Sequence, residues 1–173
     1  MATLEEILQA REDRYAMQTS LIEKHMSPLV SCTMNIPGPY KNSDLIQACF
    51  DKAMEAFVQR NQGVLEEVLE QQKETGPERY FIVLGGTNLY ALKRRLAFFE
   101  QVFPIGRWLD LDLKDSDGRA ITRKDIALEQ RRCLLCHRPA KECARSERHS
   151  LEDLLALTEK ELMLFLKKKS ELI

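Results

Sequence analysis

The sequence predicts an α+β fold: a mixed, largely antiparallel sheet with packed helices, followed by a Cys-rich loop and a helix at the C-terminal end. Three observations predict it. Residues 108–113 alternate apolar and acidic side chains with the period of a half-buried strand. Asp117-Gly118 is a favoured two-residue hairpin loop, which makes 119–125 a return strand. Residues 79–84 form a near-continuous apolar run, as expected of a strand buried on both faces of a sheet. Between these strands stand long helical patterns. The 173 residues are expected to form one domain over 1–173, with the Cys-rich segment 131–149 and a helix at 150–171 inside it.

Each element has a local cause. Leu4, Ile7, Leu8, Tyr15, Leu21 and Ile22 recur at helical spacing, and Thr3 with Glu6 forms a capping box, which predicts a helix over 3–25. Arg11 and Arg14 lie one turn apart with Gln18 a turn further, and beside Glu12 and Asp13 they read as an exposed, salt-bridged face. Residues 29–36 are β-branched and apolar and read as a strand closed by Pro37-Gly38-Pro39. Ser43 caps a helix with the apolar stripe Ile46, Cys49, Phe50, Ala53 and Phe57, ending near Gly63. Lys41, just before that helix, belongs either to a phosphate-holding loop or to an ordinary strand-to-helix connection. Residues 65–72 are balanced between helix and strand; the turn signal Thr75-Gly76-Pro77-Glu78 favours the first arm of a hairpin. A helix over 88–101 turns Leu89, Leu92, Leu96 and Phe99 inward and places Lys93, Arg94 and Arg95 on its other faces. From Ser150 a last helix carries Leu151, Leu154, Leu155, Leu162, Phe165 and Leu166, with Lys167 to Lys169 at the negative end of its dipole.

The strand at 108–114 carries the chemistry. Alternation puts Leu109, Leu111 and Leu113 on one face and Trp108, Asp110 and Asp112 on the other. Two like charges so close disfavour ionisation unless a cation offsets them. Mg²⁺ suits one or two carboxylates plus substrate phosphates. The pair therefore points to metal-dependent phosphoryl or nucleotidyl transfer, against the plainer reading of a solvated strand face. With Asp117-Gly118 as the loop, Ser116 faces Arg119, Arg123 falls opposite Asp112 and Asp125 opposite Asp110. That register makes Asp125 a third carboxylate; a slip of one residue would turn it to the other face.

Further along, Cys133, Cys136, Cys143 and His149 have the spacing C-x2-C-x6-C-x5-H, the donor set of a structural zinc site. The plainer reading is three reduced thiols and a capping histidine. Five cysteines, an odd number, make a disulfide framework improbable and a reducing, cytoplasmic location the expectation. A net charge of −1 gives no general attraction to nucleic acid or to a membrane, and no run approaches a membrane span. Gly85-Gly86 belongs to no Rossmann or P-loop fingerprint.

These motifs together resemble one family. Gly-Arg-Trp-Leu-Asp-Leu-Asp-Leu at 106–113, Ile-Thr-Arg-Lys-Asp-Ile-Ala-Leu at 121–128 and the Cys-rich run from Arg131 to His149 are similar to the apo-citrate lyase phosphoribosyl-dephospho-CoA transferases, the holo-acyl-carrier-protein synthases of citrate lyase. Arg11-Glu12-Asp13-Arg14 with Gln18, and the segment 28–43 with its Pro-Gly-Pro turn, resemble the family upstream. The resemblance implies a nucleotidyltransferase-like fold. It implies transfer of a phosphoribosyl-dephospho-CoA arm from 2′-(5″-triphosphoribosyl)-3′-dephospho-CoA to a serine of the citrate lyase acyl carrier protein, with release of pyrophosphate. In that setting Asp110 and Asp112 would hold Mg²⁺, and Asp125 would be a general base or third ligand. Arg107, Arg123, Arg131 and Arg132, with Arg14 and Lys41 behind them, would meet the phosphates, since guanidinium forks match phosphate oxygens. Two alternatives stay open: the equivalent enzyme for the malonate decarboxylase carrier, and a non-enzymatic, zinc-stabilised module that binds the carrier. The Cys-x-x-Cys tail, by resemblance, favours citrate lyase.

Overall fold

The computed structural model describes residues 3–168. In chain order the elements are α1 (Leu4–His25), β1 (Leu29–Met34), α2 (Asp44–Arg60), β2 (Leu65–Lys73), β3 (Gly76–Val83), α3 (Leu89–Val102), β4 (Leu109–Lys114), β5 (Ala120–Ile121), α4 (Ala140–Arg145) and α5 (Leu151–Lys167). The strands form one sheet in the order β2-β3-β1-β4-β5. Every pair in it is antiparallel, so the expected mixed character is not found among the described residues. The expected extension of the last helix over 169–171, with Lys169, lies outside them.

The helix caps follow the sequence. Thr3 and Glu6 exchange both capping-box hydrogen bonds, at 2.7 and 3.2 Å. The Ser43 hydroxyl accepts from the Ile46 N–H at 3.2 Å, and Ser150 does the same for Asp153 at 3.0 Å. Each such cap is worth about 1 kcal/mol. The short α4 was not foreseen.

One face of the sheet is the main core. Val30, Cys32, Phe81, Leu111 and Leu113 meet Phe50 and Phe57 of α2, Leu92, Leu96 and Phe99 of α3, and Leu162 and Phe165 of α5. Phe57 sits edge-on to Phe81 and Phe99, with centroids 5.4 and 5.5 Å apart. Trp108 belongs here too, not beside the aspartates: it lies in a 3-10 turn before β4, and its indole N–H donates to Thr158 of α5 at 3.0 Å. Gly106 opens that turn against the end of α3. A Cβ there would stand 2.6 Å from the Phe99 and Glu100 carbonyl oxygens, so no other residue fits without displacement.

The other face is covered at one end by α1. Leu21 and Ile22 pack on Leu29 and Tyr80, and the Gln18 amide donates to Ser31 at 2.7 Å. Leu4, Leu8 and Tyr15 are exposed although they continue the apolar stripe of α1, and Lys114 of β4 lies over the Tyr15 ring at 4.0 Å.

Three local expectations are corrected. The β2–β3 turn is Glu74-Thr75, so Gly76, Pro77 and Glu78 are strand residues and Glu78 is buried. The return strand stops at Ile121, and its register is Leu113 opposite Ile121, one residue away from the expected pairing. Lys93 is buried, not on an outer face of α3. The last two share a cause. Where 122–125 would pair with β4, the Leu111 carbonyl accepts from Lys93 Nζ at 2.8 Å and the Leu111 N–H donates to Glu100 at 2.9 Å. Arg131 donates to the Leu109 carbonyl at 2.9 Å. Side chains from α3 and from Arg131 satisfy the strand edge, and the displaced chain winds into a 3-10 turn at Lys124–Ile126.

Candidate active site

The sheet register assembles the site. Thr33 of β1 pairs with Glu78 on one side and Asp110 on the other; Ser31 pairs with Tyr80 and Asp112. Directly opposed residues share a face. A polar band therefore crosses β3, β1 and β4 on the face opposite the core, with α1 at its edge.

At the β3 end the charges are compensated. The Glu78 carboxylate is 1 % exposed and accepts from Arg14 at 2.8 Å, Lys73 at 3.0 Å and the Tyr80 hydroxyl at 2.6 Å. Burial opposes its ionisation, but these donors outweigh it and hold the carboxyl below its ordinary value. Arg14 thus pairs across the fold with Glu78, not along α1 with Glu12 or Asp13. Lys41 Nζ donates to the Ile36 carbonyl at 2.5 Å, closing its own loop; burial, then the charge of Arg11, lowers its pKa.

At the β4 end the acids crowd one another. Asp110 accepts from Arg131 at 3.1 Å. Asp112 is solvent-exposed, and nearby protein atoms desolvate its carboxyl in part. That partial desolvation and the neighbouring Asp110 charge push its carboxyl up to about 6, against the pull of Lys93.

Arg131, which touches Asp110, is also part of the wall of a cavity of about 610 Å³ lined by Arg107, Arg123 and Arg132, together with Glu100 and the Cys133 segment. Four of the six cations singled out in the sequence line it; Arg14 and Lys41 do not. Glu100 is 4 % exposed and anchors two of them, Arg123 at 2.5 Å and Arg131 by a short ion pair. Arg107 donates to the carbonyls of Cys133 and Leu134. Arg132 is exposed and touches Glu129 at 3.4 Å. Four guanidinium groups against two carboxylates leave the cavity suited to an anion.

Asp125 does not join the acidic pair. It accepts from the Thr122 hydroxyl at 2.6 Å, the Thr122 N–H at 2.8 Å and Arg119 at 3.0 Å. The Thr122 hydrogen bonds hold its carboxyl below the usual range. β5 ends at Ile121, so Asp125 falls in the following 3-10 turn and not opposite Asp110.

The cysteine cluster is assembled as the spacing suggests. The ligand atoms of Cys133, Cys136, Cys143 and His149 all lie within 4.8 Å of one another, and all three thiols are free. The group could hold a metal ion such as zinc. The Cys136 thiol is lowered to about 6, first by the Arg138 N–H and then by His149.

Sequence reasoning missed Glu100, Lys93, Glu78 and Tyr80. Glu100 left a signal: it stands four residues after Leu96 on the inward stripe of α3, where an acid is out of place. Glu78 left none, because its strand looked like a turn.

An α+β scaffold that sets a carboxylate pair beside an arginine-lined cavity has the make-up of an enzyme acting on a phosphate-bearing substrate. Comparison with known proteins makes this specific. Residues 2–164 match the profile of the apo-citrate lyase phosphoribosyl-dephospho-CoA transferase family. A probable apo-citrate lyase phosphoribosyl-dephospho-CoA transferase of Vibrio cholerae serotype O1 is 39 % identical over 160 residues, 91 % of this chain and 89 % of the relative. The Citrobacter koseri and Escherichia coli O1:K1 proteins of that name are 34 % and 33 % identical over 156 residues, 88 % of this chain and 84 % of each relative. The chain belongs to this family and is a transferase, which sets aside the reading of a non-enzymatic module.

Proposed function

We propose that this chain transfers the phosphoribosyl-dephospho-CoA group from 2′-(5″-triphosphoribosyl)-3′-dephospho-CoA to a serine hydroxyl of the citrate lyase acyl carrier protein. The hydroxyl gives up its proton to solvent, its oxygen bonds to the α-phosphorus, the bond from that phosphorus to the β-phosphate bridging oxygen breaks, and pyrophosphate leaves. One observation carries this reading beyond family membership: Asp112 stands exposed beside Asp110, and Asp110 is joined through Arg131 to a cavity that four arginines line.

The donor set fits Mg²⁺. Two carboxylates on alternate residues of one strand face the same way, and their mutual repulsion is what a hard divalent cation relieves. Bound there, Mg²⁺ would neutralise phosphate charge and make the serine hydroxyl more acidic. The protein's own part is placement. Arg123 and Arg131, tied to Glu100, offer guanidinium N–H groups to the triphosphate, and Arg131 keeps Asp110 oriented. We place the reaction in the cytoplasm: five free thiols suit a reducing compartment, and no described helix is long and apolar enough to cross a membrane.

The test is the intact mass of the apo carrier after incubation with this protein, Mg²⁺ and the triphosphoribosyl donor. The expected result is a gain equal to the phosphoribosyl-dephospho-CoA arm, lost with EDTA and with Asp110→Asn. No gain, while the malonate decarboxylase carrier is modified instead, would move the acceptor to that protein.

A further inference from the structure

We propose that Cys133, Cys136, Cys143 and His149 bind one zinc ion, and that this ion fixes the arginine-lined wall of the cavity. The sulfurs of Cys136 and Cys143 are 3.5 Å apart, and His149 Nε2 is 3.3 Å from the Cys136 sulfur. A zinc ion with bonds of about 2.3 Å to sulfur and about 2.0 Å to nitrogen gives tetrahedral edges of about 3.8 and 3.5 Å. These two edges are within a few tenths of an ångström of a zinc tetrahedron, and all four ligand atoms lie within 4.8 Å of one another. The sulfur separation is far beyond the roughly 2.0 Å of a disulfide.

A second observation is independent of these distances. Across residues 127–157 the only buried residues are Cys133 and Cys143. Before α5 begins at Leu151, this stretch has one helix of six residues and a single isolated bridge, Arg132 to Pro139, with Leu134 only partly buried against the core. So long a segment cannot hold its shape by burying two thiols, because apolar burial supplies only about 25 cal/mol per Å². Metal binding is the means by which segments lacking a core keep one conformation. The backbone is already folded for it. The Cys133 N–H donates to the Arg138 carbonyl at 2.8 Å, and the Ala140 N–H to the Arg131 carbonyl at 2.8 Å, closing the loop that carries the first two ligands. Four protein ligands leave no open position, so the ion is structural.

The same loop sets the guanidinium groups. Arg107 is held by the Cys133 and Leu134 carbonyls, inside the first ligand loop. Arg131 begins it, two residues before Cys133, and reaches Asp110 and Glu100. Zinc therefore positions both arginines; this half of the inference rests on reading the cavity as a phosphate site.

Two measurements test it. Full-length protein purified without chelator should carry about one zinc per chain. Protein produced with cobalt should show the strong visible absorption of a tetrahedral thiolate site. Metal absent by elemental analysis, with no such spectrum, overturns the site. The second is calorimetric binding of inorganic tripolyphosphate with Mg²⁺ to wild type and to His149→Ala. Loss of zinc should weaken binding roughly ten-fold. If His149→Ala is insoluble, wild-type protein stripped of zinc and resupplied with Mg²⁺ takes its place. Unchanged affinity without zinc overturns the positioning role and leaves the metal site standing. Bound zinc with no carrier modification overturns the transfer reading alone.

Discussion

Glu78 and Asp112 are carboxylates on one face of one sheet, on the two strands that flank β1, and the protein treats them in opposite ways. Glu78 is buried with two cations and a phenol, and its charge is favoured. Asp112 is left with a second acid beside it, and its charge is disfavoured. A fold that supplies three donors to one carboxylate could have supplied them to another. Glu78 ties α1 and β2 to β3; Asp110 has one ion-pair partner, Arg131, and Asp112 has none among the described residues, which leaves room for a ligand-borne cation.

That contrast can be broken by substitution. The largest effect is expected at the β4 end. Asp110→Asn or Asp112→Asn should lower the rate of carrier modification by at least about a thousand-fold, followed by intact mass, with the thermal melt unchanged or raised. A melt that collapses would show that the pair is structural after all.

Glu78→Gln should do the reverse, costing about 2–4 kcal/mol in urea unfolding because Arg14 and Lys73 lose their counter-charge. It also carries a pH signature. The folded carboxyl lies below its ordinary value of 4.5, so its stabilisation is present above that value and is lost as pH falls through it toward the folded one. Wild type should lose this increment in acid, and Glu78→Gln should lack that arm of the profile.

Arg131→Met removes the one guanidinium shared by Glu100 and Asp110. Transfer should fall roughly 10- to 100-fold, mostly in kcat if Arg131 orients Asp110 and mostly in KM if it only binds donor. The smallest effect sharpens the contrast. In EDTA, Asp112→Asn should stabilise the protein above pH 7 by about 1 kcal/mol, solvent screening most of the shift, or about 2–4 °C in Tm. The sign follows from the raised pKa: the native carboxyl near 6 is favourable below its ordinary 3.8, and that advantage is lost as pH rises through 6. Variant and wild type should therefore converge in acid.

Particular residues show how far the sequence reached. The alternation at 109–113 placed the leucines inward and both aspartates on the open face, because a two-residue period is a local property of an extended chain. The caps Thr3, Ser43 and Ser150 were legible for the same reason, since their partners lie three residues away, and the cysteine spacing was legible because its four ligands fall within one short segment. The return strand was not. Its length depends on Lys93, Glu100 and Arg131, which lie far along the chain yet compete for the same edge of β4. The same competition moved Asp125 out of the site.

The sequence by itself determined the long helices, most of the strands and which residue types were available for metal and phosphate. Each of those choices is made within one or two turns of chain. Tertiary structure alone decided which carboxylate is neutralised and which is left open. Arg14 is 64 residues from Glu78, and Arg131 is 21 from Asp110. Pairings at that separation are set by sheet register and helix docking, which no local pattern records.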